Sequence, residues 1–148
     1  MNKHTYHTES SLGYMSVTTH RLLNSTLRRK FKSAGIDLTP EQWGVMLLLW
    51  ERESATQDAL AQALCVDKSS MSRVLSSMDS MGLIDRTADP NNERKKIVRA
   101  KKEAFALREQ GFALATDVLE MALGGVSRED AETCIKVLAA VKRNLQGK

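Results

Sequence analysis

Apolar residues recur every three or four positions along most of the chain, and this spacing predicts a mainly α-helical fold. A first helix, with leucines among polar and basic residues, is expected to stop at Gly35. The segment Thr39–Gln42 then has the sequence of a capping box with proline at the first helical position. The helix that this box opens has no polar face up to about Trp50, so we expect it at the centre of the molecule.

The rest of the chain predicts a short helix pair, a hairpin and two longer helices. Thr56 is expected to cap a third helix, Gln57–Leu64, and Asp67 a fourth that ends at Met81. Two β-like runs then flank the polar loop 89–94, which is typical of a hairpin. A fifth helix is predicted over about 102–123 and a sixth after residue 127. The predicted fold class is therefore mainly α with a small β-hairpin.

The third and fourth helices have the spacing of a helix-turn-helix. The small residue Ala61 lies where the two helices must cross closely, and Val66 is predicted to fill the turn between them. Cys65 occupies a turn position where glycine is common in simple helix-turn-helix proteins. With the hairpin directly behind it, this pair predicts a winged helix-turn-helix.

One face of the fourth helix combines short hydroxyl side chains with a single arginine. Serine is a poorer helix former than glutamate or lysine, but a slim serine face can enter the major groove of DNA. Arg73 can bind a guanine edge with two hydrogen bonds, and the hydroxyls can meet phosphates or base edges. The alternative interpretation is an ordinary polar surface helix.

The hairpin adds a second predicted contact, because its cations can reach phosphates or the minor groove beside a helix in the major groove. Glu93 opposes this role, and its carboxylate either repels DNA or forms an ion pair that orients Arg94. The predicted DNA-binding residues on the helix and the hairpin are Lys68, Ser69, Ser70, Ser72, Arg73, Ser76, Arg94, Lys95 and Lys96.

Three strings, LTPEQWGVMLLL, TQDALAQALCVDKSSMSRVLSSMDSMGLIDR and DPNNERKK, resemble the MarR family of bacterial winged-helix regulators. The resemblance extends from about Leu38 to Ala104. It implies a single domain in which residues 37–101 bind DNA, while the flanking segments 1–36 and 102–148 form a dimerisation platform. It also implies that Asp67 caps the recognition helix. Where the family wing usually reads Asp-Pro-x-Asp-Arg-Arg, this chain has Asn92 and Glu93, which predicts a weaker wing contact.

The expected partners are a pseudo-palindromic DNA duplex, a second copy of the chain and a small effector. One recognition helix contacts only a few base pairs, so useful specificity across a genome requires two half-sites and a homodimer. The resemblance implies a repressor released by a small aromatic or phenolic effector. The predicted effector residues are His20, Arg21, Trp43 and Met46, although Trp43 and Met46 also fit an ordinary apolar core.

Charge is concentrated in the predicted DNA-binding part. The whole chain has a net charge of +4, whereas nine cations and four acids between residues 68 and 102 give that stretch +5. No apolar run approaches the roughly 20 residues of a membrane span, and no secretory signal is recognisable, so we expect a cytoplasmic protein. No catalytic motif, cofactor motif or metal-ligand spacing is present, and we expect no enzymatic activity.

Two alternatives remain open from the sequence. Asn92 and Glu93 suggest a ligand-sensing or protein-interaction module of the same fold with weakened DNA binding. Cys65, beside the recognition helix, suggests a redox-sensing regulator, which would require an exposed thiol of lowered pKa. We expect instead that Cys65 and Cys134 are buried, reduced and inert.

Overall fold

The computed structural model describes residues 7–147 of the chain. After a short 3-10 turn at Thr8–Ser10, this part contains six α-helices and three strands. The helices are α1 (Leu12–Ser33), α2 (Pro40–Arg52), α3 (Gln57–Leu64), α4 (Lys68–Ser80), α5 (Ala106–Ala122) and α6 (Arg128–Gln146). The strands are β1 (Ala55–Thr56), β2 (Ile84–Asp89) and β3 (Asn92–Ala100). The predicted fold class is confirmed.

The starts of α2, α3 and α6 agree with the sequence prediction because short side chains cap them locally. The capping box is complete: the Gln42 amide donates to Thr39 Oγ1 at 3.1 Å, and the Thr39 amide donates to Gln42 Oε1 at 3.0 Å. Thr56 caps α3 by accepting from the Ala59 amide, and Ser127 caps α6 by accepting from the Asp130 amide. Each cap satisfies an amide that the first turn of a helix leaves unpaired.

The structure differs from the sequence prediction at two elements. The fifth helix does not start at residue 102, because Lys102–Phe105 form a 3-10 turn before α5 begins. The hairpin is also part of a larger sheet, since β1 pairs antiparallel with β3 and gives the strand order β1-β3-β2. A strand of two residues is too short to produce an alternating pattern, and pairing with β3 alone defines it.

The core lies between α2 and the helix pair α3 and α4. Val45, Met46 and Leu49 of α2 are buried together with side chains from α1, α3, α4 and both hairpin strands. The central position predicted for α2 is confirmed. Its burial on every side is not, because Leu47, Leu48 and Trp50 are only partly buried at the edge of this core.

Trp43 connects α2 to α1, which precedes it in the chain, and to α5, which lies far beyond it in sequence. Its ring makes edge contacts with Phe31 of α1 and Phe112 of α5, with ring centroids 5.4 and 5.7 Å apart. It also lies directly against the backbone of Gly111, where a Cβ atom would overlap two atoms of the indole ring. Only glycine allows α5 to approach this close, so Gly111 and Trp43 together fix how α5 packs on the core.

We therefore predict that Gly111→Ala destabilises the protein, although the same change in a helix interior ordinarily stabilises it by about 0.5–1 kcal/mol. The added methyl group overpacks the Trp43 contact, and overpacking typically costs about 1–3 kcal/mol. Thermal unfolding followed by circular dichroism measures the change. Gly13→Ala is the matched control, because nothing lies within 4 Å of a Cβ at that position of α1. A melting temperature for Gly111→Ala equal to or above that of the parent would contradict the packing described here.

Candidate nucleic-acid interface

Helix α4 has one buried face and one exposed polar face. Met71, Leu75 and Met78 are buried in the core, whereas Arg73 and Ser76 are exposed on the other side. This arrangement follows from the helical spacing of the apolar residues. It leaves the predicted recognition face accessible along the length of the helix.

Asp67 organises the start of this face. Its carboxylate accepts hydrogen bonds from the Ser69 hydroxyl at 2.7 Å, the Ser70 amide at 2.7 Å and the Ser70 hydroxyl at 2.9 Å. These donors, the Ser69 hydroxyl first among them, lower the pKa of Asp67 to about 2, and the nearby Arg73 charge acts in the same direction. The carboxylate is therefore ionised at neutral pH, and Asp67 is the cap that the sequence predicts.

The same hydrogen bonds determine what two of the predicted serines can offer a ligand. A hydroxyl has one proton to donate, and Ser69 and Ser70 both donate theirs to Asp67. Ser70 additionally accepts from Arg73 Nη2 at 3.3 Å, so its oxygen helps to orient the guanidinium. Ser69 is exposed and presents acceptor lone pairs, which match amino groups on cytosine or adenine edges better than phosphate oxygens.

Further along α4, the Ser76 hydroxyl accepts a hydrogen bond from Arg86. The sequence pattern predicts only a positive charge at position 86. Arg86 of β2 donates to Ser76 Oγ at 3.3 Å and forms an ion pair with Asp79 at 3.4 Å. It also donates to Gln57 Oε1 of α3 at 3.3 Å. The one sequence signal for this role of Arg86 is its position just after the recognition helix. Its partners could not be predicted because they lie 7 to 29 residues away in sequence.

The other two predicted residues of α4 differ in accessibility. Ser72 is half-buried, so it lies at the edge of the exposed face. Lys68 is 80% exposed and forms a 3.7 Å ion pair with Asp58 of α3. Such exposed pairs are weak, typically 0–1 kcal/mol, and a phosphate can replace the carboxylate. Lys68 is thus available at the helix start.

The hairpin tip contains two Asx turns, in which an Asp or Asn side-chain oxygen accepts a hydrogen bond from the backbone amide two residues later. Asp89 Oδ1 accepts from the Asn91 amide at 2.9 Å, and Asn92 Oδ1 accepts from the Arg94 amide at 3.1 Å. Asn92 therefore has a structural role at the position where the chain departs from the family pattern. Arg94, Lys95 and Lys96 are exposed and line a small cavity of about 70 Å³ with the first residues of α3. Across residues 7–147, no ion pair joins Glu93 to Arg94, so that hypothesis for Glu93 is wrong.

The predicted effector residues do not converge on one cavity. Trp43 and Met46 are buried in the core, whereas His20 and Arg21 are exposed on α1, with His20 Nε2 3.2 Å from the side-chain Nδ2 of Asn24. A separate surface cavity of about 350 Å³ lies where α2, the end of β3 and the turn before α5 meet. Its lining comprises two aromatic and two cationic residues with one alanine: Trp50, Ala100, Lys101, Lys102 and Phe105. The Lys101 ammonium also forms an ion pair with Asp85 at 3.8 Å.

Both cysteines are exposed, so the expectation of buried thiols is wrong. Cys65 ends α3 in a left-handed conformation, with φ of 55°, and its neighbour Val66, which is partly buried, packs against the core instead. Its sulfur accepts a hydrogen bond from Gln146 Nε2 of α6 at 3.4 Å. Within the described range, no helix has the length and apolarity of a membrane span, and no cluster of His, Cys, Asp or Glu could hold a metal ion.

Similarity to known proteins agrees with this geometry. A family model described as MarR family matches residues 38–96. The uncharacterized HTH-type transcriptional regulator YybA of Bacillus subtilis is 28% identical over 130 residues, which cover 85% of this chain and 83% of YybA.

Two solved structures are similar over nearly their whole length. A probable transcriptional regulator from Pseudomonas aeruginosa is 26% identical, with a TM-score of 0.78 and coverage of 90% of this chain and 98% of the other. A mutant of Escherichia coli MarR complexed with operator DNA is 22% identical, with a TM-score of 0.78 and coverage of 88% and 92%. With the winged helix-turn-helix described above, these similarities support a MarR family winged helix-turn-helix transcriptional regulator.

Proposed function

We propose that this chain is a homodimeric repressor that reads a pseudo-palindromic operator with α4 and the hairpin, and that a small aromatic or phenolic effector releases it. The observation that carries the proposal is the arrangement around Arg73. Its guanidinium lies on the exposed face of α4 and is oriented through Ser70 by the Asp67 carboxylate. An oriented guanidinium can bind guanine O6 and N7 with less loss of side-chain freedom than a mobile one.

The roles of the two cationic elements differ in this proposal. Arg73 specifies sequence, because it reaches base edges from a helix in the major groove. Arg94, Lys95 and Lys96 lie on the exposed hairpin and contact phosphates or the adjacent minor groove. The hairpin therefore contributes affinity that depends on salt, and the helix contributes discrimination between sequences.

We predict that Arg73→Ala lowers affinity for a selected operator by roughly 1–3 kcal/mol and relaxes preference at one base pair per half-site. Arg94→Ala should weaken binding to all sequences alike and reduce the slope of log K against log salt by about 1. Fluorescence anisotropy across a salt series, with a duplex selected from a random library, measures both. Arg128→Ala, which removes a 93% exposed cation from α6, is the control for charge alone. If Arg73→Ala binds like Arg128→Ala, the assignment of Arg73 fails.

A second copy of the chain is the partner that the terminal helices require. Ile135 and Leu145 of α6 are 66% and 77% exposed, and Leu22 of α1 and Met121 of α5 are 69% and 60% exposed. No residue of α6 is buried, although every third or fourth position along it is apolar. Apolar helix faces of this extent mark protein contacts, and a two-fold dimer also provides the two recognition helices.

We predict that Ile135→Lys converts the dimer to a monomer or shifts its dissociation by at least tenfold, because a lysine in an apolar interface is strongly disfavoured. Light scattering after size-exclusion chromatography measures the mass. Thr133→Lys adds the same charge to the polar side of the helix and should remain dimeric. A monomeric parent protein at micromolar concentration would rule out the homodimer.

The cavity around Trp50 is where we propose that the effector binds. Aromatic rings from Trp50 and Phe105 suit a flat apolar ligand, and the Lys101 and Lys102 ammonium groups suit its negative charge. Among residues 7–147, the Trp50 indole N–H has no hydrogen-bond partner. The cavity also lies between the DNA-binding region and the 3-10 turn that leads into α5, so a ligand there can affect how α5 packs against that region.

We predict that benzoate, 4-hydroxybenzoate or cinnamate raises the melting temperature of the protein and weakens its operator complex. Lys101→Met should reduce the thermal shift because it removes one ammonium from the cavity. Arg21→Ala serves as the comparison variant, since Arg21 lies on α1 outside this cavity. A shift that Arg21→Ala abolishes and Lys101→Met leaves intact would overturn this location.

A further inference from the structure

Among the described residues, the Arg86 side chain forms more hydrogen bonds to other helices than Arg73 or Arg94, the two arginines proposed to contact DNA. Its Nε and Nη2 both donate to Asp79 Oδ2 at 3.4 Å, Nη2 also donates to Ser76 Oγ at 3.3 Å, and Nη1 donates to Gln57 Oε1 at 3.3 Å. Two partners lie on α4 and the third lies on α3. The Arg86 side chain therefore joins both helices of the helix-turn-helix to β2.

The backbone of Arg86 is also fixed. It pairs with Val98 of β3, and Val98 is fully buried in the core. The Arg86 side chain is 23% exposed, about half the exposure of its partner Asp79 at 45%. The Arg86 side chain is held at its backbone by β3 and at its guanidinium by α3 and α4, and it is largely buried. It can therefore fix the position of these helices relative to the hairpin, but it is poorly placed to project into a DNA groove.

Guanidinium geometry explains why an arginine suits this place. The group is planar and carries five N–H donors in a rigid fork, so three acceptors in different directions can be bonded at once. A lysine ammonium is a point charge on a flexible stem and lacks this fixed arrangement. Replacing arginine by lysine thus keeps the charge and removes the geometry.

We propose that Arg86 is a positioning residue for DNA recognition. It fixes the position of α4 relative to the β2–β3 hairpin, which forms the wing, so that α4 and the wing reach their grooves together. The inference rests on the proposed function, because it concerns how the proposed DNA-binding surface is assembled. A helix and a wing that bind one duplex at two places must have the correct separation, since a displaced element loses its contacts.

Asp79 allows this role to be separated from simple charge. It is an acid on the recognition helix, so a purely electrostatic account predicts that Asp79→Asn strengthens DNA binding. The positioning account predicts weaker discrimination, because the ion pair between Asp79 and Arg86 is lost. Asp85→Asn is the matched control: Asp85 is a nearby, 62% exposed acid whose carboxylate pairs with Lys101 at 3.8 Å and, among the described residues, is not a partner of the Arg86 guanidinium.

The experiment measures dissociation constants for a duplex selected by the parent protein and for a scrambled duplex of the same length. Asp85→Asn should tighten binding to both and leave their ratio unchanged. Asp79→Asn should lower the ratio by roughly fivefold, as expected for coupled contacts. Melting temperatures within a few degrees of the parent establish that both variants fold.

A second pair of variants keeps net charge constant. Arg86→Lys should retain binding to the scrambled duplex and lose discrimination by a similar factor, whereas Arg99→Lys, at an exposed site on β3, should behave like the parent. Arg86→Lys combined with Asp79→Asn should lose no more than either alone, because both break the same contact. Equal ratios for Asp79→Asn and Asp85→Asn, with parental behaviour of Arg86→Lys, would overturn the inference. If library selection with the parent protein enriches no sequence, the proposed function itself fails.

Discussion

The packing of Trp43 against Gly111 is the contact on which the rest of this structure depends. Through it α2 is joined to α5, and through the edge contact with Phe31 the same ring joins α2 to α1. Helix α2 also contributes Met46 and Leu49 to the core beneath α3 and α4. One aromatic ring of α2 therefore connects the core beneath the helix-turn-helix to α1 and α5, and a change in how those two helices pack can reach the DNA-binding surface.

The polar face of α4 is ordered by contacts at both ends of the helix. At its start, the Asp67 carboxylate accepts hydrogen bonds from the Ser69 and Ser70 hydroxyls. At its end, Arg86 donates a hydrogen bond to Ser76 and forms an ion pair with Asp79. A serine-rich helix has low intrinsic propensity, and these end contacts together with the buried methionines offset that cost. A surface ordered before DNA arrives loses less conformational entropy on binding.

Much of this architecture can be predicted from the sequence because its determinants are local. Capping boxes, helical spacing and the turn at residues 89–92 each depend on residues within four positions of one another. The features that escaped prediction are long-range: β1 exists only through pairing with β3, and Arg86 finds its partners on α3 and α4. The exposure of Cys65 was missed because a left-handed turn residue can be small and apolar yet directed outward. The sequence left a ligand site open for Trp43 beside the more ordinary core position, and its burial against Gly111 places it in the core.

The central claim is that α4 and the wing of a dimer read two half-sites on one face of a duplex. Hydroxyl-radical footprinting on a duplex selected by the protein tests it most directly. The account predicts two protected regions, centred about one helical turn of 10–10.5 base pairs or a small multiple of it apart. Flanking minor-groove protection should appear where the hairpins reach. A single protected region, or uniform protection that does not depend on sequence, would contradict the account.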